Sequence, residues 1–522
     1  MLTSRAMAVV AVVLMAYAAG SASAQTVRTA DGRVRGERSG DVVAYLGLPF
    51  AAPPIGQLRW REPQPVAPWR GVRSARSFAP ACVQNGVSIP GEPAPETSED
   101  CLYLNVWRRG GSGARRPVMV WIHGGGYTNG ATALPLYWGD RLAAKGAVVV
   151  TINYRLGPLG WLAHPELTVE SGRGSSGNYG LMDQIAALRW VQRNIEAFGG
   201  DPNNVTVFGQ SAGAMAISLL MASPQARGLF DRAIAQSGGV FEPVQLAPHY
   251  LLANAERDGE AYGTARGADS LAELRAAPVE HLLEGAGRVS HPVIEPYVLP
   301  RTPYEAYLAR SFVDVPLIVG ANADEARSLA DVETVTTGNF AAEIERAWGA
   351  LPDPLVTAYP FSTDAEARAA RLAFERDLRF GWDMWAWARL HAQTSAHPVF
   401  YYRFAQATPF PDEGPRAGWG AAHFAELWYA FDHLNQEAWA WSSADRRTAH
   451  EMSSYWVNFA ASGDPNRGDL PHWPAFTNEA PTQFEFGVQT RLVTAPVDRQ
   501  VQVFDAVYDA VRGSSFGVAS DQ

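Results

Sequence analysis

Apolar positions along this chain follow two alternating rhythms. Short runs rich in β-branched residues, at 117–122, 147–152, 205–208, 315–319 and 398–404, are predicted to be buried strands. Between them lie segments with apolar residues at every third or fourth position. The clearest is 181–198, where Ile185, Leu188, Val191, Ile195 and Phe198 mark one helix face. It meets Gly199-Gly200-Asp201-Pro202-Asn203-Asn204, which predicts a turn. Strands alternating with helices predict an α/β fold with a mostly parallel central sheet covered on both faces. Ligands of such sheets bind beyond the carboxyl ends of the strands. Two helical stretches, about 240–310 and 340–395, interrupt the rhythm and are predicted to be lid-like insertions around the site. No repeat or low-complexity linker divides the chain, so residues 25–522 are expected to form one domain.

The first 24 residues follow a different pattern. Arg5 precedes an apolar run from Ala6 to Ala19 and the small residues Ala22-Ser23-Ala24. That order predicts a secretory signal peptide cleaved near Ala24/Gln25, and hence a secreted or periplasmic mature chain. No later apolar run is long enough to span a membrane. The net charge of −10, with no basic block, excludes a nucleic-acid partner, because phosphate binding needs clustered Lys and Arg. An oxidising destination changes the reading of the two cysteines. Cys82 and Cys101 flank a loop rich in Pro, Gly and Ser, and a disulfide closing it is worth about 3 kcal/mol in the chain-entropy model. Free buried thiols are the alternative; no CxxC or nearby histidine supports a metal site.

Candidate chemistry appears where predicted strands end. Gly209-Gln210-Ser211-Ala212-Gly213 follows the strand at 205–208 and precedes an apolar helical run at 214–221. This is G-x-S-x-G in its strand-turn-helix context, where glycines permit a tight turn that presents the serine hydroxyl. Upstream, His123-Gly124-Gly125-Gly126-Tyr127 follows the strand at 117–122. Consecutive glycines let backbone N–H groups approach a substrate oxygen, as acyl transfer requires when charge builds on the carbonyl. His123 lies before the serine and is taken to order this loop through hydrogen bonds.

The ordered motifs resemble those of type-B carboxylesterases, in the esterase/lipase branch of the α/β-hydrolase superfamily. The resemblance runs from Gly47-Leu48-Pro49-Phe50 and Ser98-Glu99-Asp100-Cys101-Leu102 through the glycine loop, Asn153-Tyr154-Arg155-Leu156-Gly157 and the serine elbow. It ends at Gly463-Asp464-Pro465-Asn466. It implies an α/β-hydrolase fold and a serine esterase acting on small-molecule carboxylic esters without metal or organic cofactor. The family's triad order places Ser211 as nucleophile, Glu325 as acid, with Asp324 as its rival, and His423 as base, with His433 as the nearest competitor. The same resemblance puts the oxyanion hole on the N–H groups of Gly125, Gly126 and Ala212.

Three positions depart from the family pattern. Ala326 stands where glycine commonly follows the acid, which bears on the loop carrying Glu325. Gln210 stands where glutamate often precedes the nucleophile, and residues 83–100 contain no tryptophan. The last two remove cation-stabilising groups and disfavour choline esters, and the missing carboxylate also eases entry of an anionic substrate. A lipase-like or carbamate-cleaving enzyme on the same triad, and more remotely a non-catalytic adhesion module, are the alternative functions. Tryptophans at 382, 385, 387, 428, 439 and 441 are assigned either to core and lid packing or to a gorge wall.

Overall fold

The computed structural model describes residues 25–111, 113–494 and 499–513; the leader expected over 1–24 lies outside them. Among the described residues the central sheet has eleven strands. They are β1 (Glu37–Ser39), β2 (Val42–Pro49), β3 (Tyr103–Arg109), β4 (Arg116–Ile122), β5 (Val148–Ile152), β6 (Gly200–Gln210), β7 (Arg232–Gln236), β8 (Leu317–Asn322), β9 (Val399–Phe404), β10 (Thr482–Phe486) and β11 (Arg491–Thr494). In space they run β11-β10-β9-β8-β7-β6-β4-β5-β3-β2-β1. All pairings from β5 through β4, β6, β7, β8 and β9 to β10 are parallel. Antiparallel strands close both margins.

Four long helices matter for the site: α1 (Tyr179–Asn194), α2 (Ala212–Ala222), α3 (Trp382–Thr394) and α4 (Ser443–Ser462). Strand alternation explains the layering. Val118, Val120 and Ile122 of β4 join an apolar cluster with α1, α2 and α3. Met119 and Trp121, pointing the other way, join a second cluster with Met452, Trp456 and Phe459 of α4. With both faces covered, the strand reads as one continuous apolar run. Helix α1 buries Leu181, Ile185, Leu188 and Val191 on the spacing the sequence indicated. A short 3-10 turn then carries the chain to Gly199, whose φ of 80° ends it.

Two local expectations shift. The strand expected at 315–319 begins at Leu317 and extends to Asn322. Pro316 lacks the N–H to donate into a ladder and contributes only its carbonyl, which accepts from the Ala233 N–H of β7 at 3.1 Å, so paired residues start at Leu317. The turn expected at 199–204 is confined to Gly199, because β6 already pairs with β4 at Gly200. Pairing is broken between Gly200 and Val205, where the Asp201 side chain accepts from the Asn203 N–H. The Pro-Asn-Asn stretch therefore makes an irregularity within a strand. Both expected insertions are helical. The first carries Leu252–Thr264 and the second Asp364–Arg376 and α3, joined by a π-helical turn at Asp377–Gly381.

The parallel register puts the carboxyl ends of β4, β6, β7 and β8 along one edge of the sheet. The glycine loop, the serine elbow and the Glu325 loop lie just past such ends, and His423 comes from the long loop that follows β9. Cys82 and Cys101 form a disulfide beside this edge, as expected. Trp382, Trp385, Trp387 and Trp428 are buried in the apolar clusters, which favours packing over a gorge wall for these four. Among the described residues no helix is long and apolar enough to cross a membrane.

Candidate active site

Ser211 sits at the junction of β6 and α2 with φ 57° and ψ −126°, a region that side chains rarely occupy. The flanking glycines are forced by contact. A Cβ on Gly209 would lie 2.7 Å from the Gly213 backbone, and one on Gly213 only 2.0 Å from the Ile122 carbonyl. The Ser211 N–H donates to the Gln236 carbonyl at 2.9 Å, tying the elbow to β7. Gly238, just past β7, also packs on it, since a Cβ there would lie 2.3 Å from the Ser211 carbonyl oxygen. The turn thus stores about 1–3 kcal/mol of backbone strain, held by neighbours on both sides.

Of the two candidate acids, Glu325 meets the histidine. Its Oε2 lies 2.5 Å from His423 Nδ1, with both side chains buried. Its other oxygen accepts the Asn322 N–H at 2.7 Å, and the His423 N–H donates to the Glu325 carbonyl at 3.3 Å. Asp324 faces elsewhere: it accepts from Arg327 Nε at 3.0 Å and from the Ala421 N–H at 3.1 Å. Asp324 therefore braces the histidine loop without touching the ring. Ala326 is buried in the short 3-10 turn Glu325–Ser328 and has no positive φ, so alanine fits where the family pattern has glycine. His433 is engaged by the Leu136 carbonyl at 3.1 Å and Asp140 at 3.0 Å, away from Glu325.

The glycine loop packs against the elbow. A Cβ on Gly124 would lie 2.9 Å from Ser211 Cβ. Gly125 and Gly126 have φ of 109° and 60°, which glycine adopts at no steric cost. Ala212 is the first residue of α2, so its N–H has no partner within the helix. Among the described residues, no hydrogen bond within the chain occupies the N–H of Gly125, Gly126 or Ala212. His123 orders the loop, as expected: its Nδ1 is 2.9 Å from the Gly124 carbonyl and its ring stacks on Tyr154 at 4.4 Å. Burial lowers its pKa to about 4, which keeps the ring neutral at physiological pH.

Several participants were not evident from sequence. The Gln210 amide nitrogen lies 3.1 Å from His423 Nε2, so the position read as a substrate hint touches the imidazole. Phe380, on the π-helical turn of the second insertion, stacks on His423 at 4.5 Å and 12°. Glu426, three residues after His423, accepts from Asn322 Nδ2 at 2.5 Å and Gln236 Nε2 at 3.2 Å. Burial, followed by repulsion from Glu325, pushes its carboxyl up to about 8. An acidic residue three positions beyond the histidine was a signal available in the sequence. The Phe380 contact left none, because it crosses from a distant insertion.

Comparison with known proteins identifies the family. The profile of the carboxylesterase family matches residues 23–504. Fumonisin B1 esterase of Sphingopyxis macrogoltabida is 41% identical, covering 86% of this chain and 84% of its own. Para-nitrobenzyl esterase of Bacillus subtilis is 34% identical, covering 87% and 93%. A solved PNB esterase structure superposes with a TM-score of 0.80 at 32% identity, spanning 92% of this chain and 99% of that one. The fold is that of the α/β-hydrolases. This chain belongs to the carboxylesterase family and is a carboxylic ester hydrolase.

Proposed function

We propose that Ser211, His423 and Glu325 form the catalytic triad of an exported esterase for small to medium carboxylic esters. The observation that carries this reading is the buried Glu325–His423 pair at 2.5 Å beside the strained Ser211 elbow. Glu325 holds the imidazole through Nδ1–H, and Nε2, contacted here by the Gln210 amide at 3.1 Å, exchanges that partner for Ser211 Oγ to take its proton as it attacks the ester carbonyl. Charge developing on that oxygen meets the N–H groups of Gly125, Gly126 and Ala212. The imidazolium then protonates the leaving alcohol, and a water activated by the same ring releases the acid. Nothing in these steps calls on a metal or organic cofactor. Export rests on the leader pattern of residues 1–24 and fits a disulfide, which persists in oxidising compartments. The mature chain, as one domain over 25–522, is the expected catalytic unit.

Substrate scope is tested with p-nitrophenyl esters of increasing chain length, with fumonisin B1 added because one relative carries that name. Activity peaking at short, soluble chains supports the esterase reading. Activity that emerges only above the solubility limit contradicts it and identifies a lipase.

A second expectation concerns Gln210. Gln210→Glu places a carboxylate about 3 Å from the imidazole and favours its charged form. The acid limb of the kcat/KM–pH profile should then move to higher pH, by about 1 unit. An unmoved limb would show that this side chain is electrostatically insulated from His423.

A further inference from the structure

The oxyanion donors are aimed by peptide planes, and the structure shows what fixes those planes. In a trans peptide the C=O and the following N–H point in opposite directions, so holding one aims the other. The Gly124 carbonyl is held by His123 Nδ1 at 2.9 Å, which directs the Gly125 N–H. The Gly125 carbonyl accepts from the Thr128 N–H at 3.1 Å and the Asn129 N–H at 2.9 Å, which directs the Gly126 N–H. Both constraints converge on Gly130. A Cβ there would lie 2.0 Å from His123 Nδ1, so its bare backbone presses on the imidazole, and it directly follows Asn129.

One side chain grips Gly130 from both sides. Gln84 accepts the Gly130 N–H at 2.8 Å through Oε1 and donates Nε2 to the Gly130 carbonyl at 2.7 Å. The same Nε2 donates to the Cys82 carbonyl at 2.9 Å. The amide is buried, so each bond lost leaves a polar backbone group without water. The Cys82–Cys101 bridge carries the clamp on one side. On its other side Asn153 donates to the Cys101 carbonyl at 3.2 Å and accepts from the Thr132 hydroxyl at 2.9 Å, just past Gly130.

Resting on the acyl-transfer reading above, we infer that Gln84 is a positioning residue for the oxyanion hole, held in place by the Cys82–Cys101 bridge. It touches no substrate. It sets the direction of the Gly125 and Gly126 N–H groups through Gly130, His123 and Asn129. The disulfide loop thereby contributes to transition-state stabilisation from outside the catalytic residues.

The test is Gln84→Met, which keeps length and removes the amide. Kinetics on p-nitrophenyl acetate are measured together with the affinity of an aryl trifluoromethyl ketone, whose serine adduct is tetrahedral and anionic. Removing one oxyanion donor costs about 10²- to 10³-fold in kcat, so misaiming two of them should cost about 10- to 100-fold. KM should change by less than about threefold, because the ground state does not use these donors fully. Trifluoromethyl ketone affinity should fall in parallel with kcat. A purely structural role would instead lower the titratable fraction of enzyme and leave kcat per active site intact. A folded Gln84→Met enzyme with unchanged kcat and ketone affinity overturns the proposal. If that variant fails to fold, wild-type enzyme with the bridge reduced carries the test. The same fall in kcat per titrated site is expected, and full kcat in reduced, folded enzyme overturns the proposal. Failure of the acyl-transfer reading is distinguishable, because wild-type enzyme would then not take up one equivalent of a fluorophosphonate.

Discussion

Ser211→Ala abolishes turnover, with kcat/KM on p-nitrophenyl acetate falling by at least about 10⁴-fold and the fold unchanged. The reason is chemical: no other hydroxyl stands at the elbow between β6 and α2. Residual catalysis by the oxyanion donors alone would leave a small rate over water. The fold should survive, because the backbone strain at φ 57° belongs to the turn, and alanine meets it no worse than serine does. Circular dichroism and thermal melting monitor that condition. Retained turnover in a folded Ser211→Ala enzyme would remove Ser211 from the mechanism.

The second large effect separates the two adjacent acids. Glu325→Gln should lower kcat by about 10³- to 10⁴-fold, as loss of a triad carboxylate does elsewhere. A glutamine amide 2.5 Å from Nδ1 offers the ring either a donor or an acceptor, and no charge to stabilise the imidazolium. The wrong tautomer becomes accessible and Nε2 is no longer reliably the base. Asp324→Asn should cost less than about threefold, because that side chain is a third exposed and pairs with Arg327. Comparing kcat for the two variants checks the assignment, and a larger loss at Asp324 would reverse it.

How much of this was legible in the sequence depends on the range of the constraint. The Ser211 elbow was readable because it is local: strand, glycine, serine, glycine and helix occupy one continuous segment, and the glycines answer clashes with Ile122 and each other. The central strands were readable because each is buried on both faces and so is uniformly apolar. Strand β8 starts two residues later and ends three residues later than expected, since β-branched composition reports burial and not where residue pairing begins after Pro316. Glu325 and His423 lie 98 positions apart and were assigned through family resemblance; nothing in their spacing alone would pair them. Side chains that act through long-range packing stayed hidden. Phe380 reaches His423 from an insertion, and Gln84 reaches Gly130 across 46 positions. Gln210 was noticed for its identity, yet only the structure shows its amide against the imidazole.

The catalytic account meets its most direct test in covalent labelling. Purified enzyme is treated with a fluorophosphonate, and the adduct is mapped by peptide mass spectrometry alongside Ser211→Ala. One equivalent on the peptide containing Ser211, with activity lost in proportion and no adduct in the variant, is the predicted result. Stoichiometric inactivation with the adduct on any other residue would contradict it.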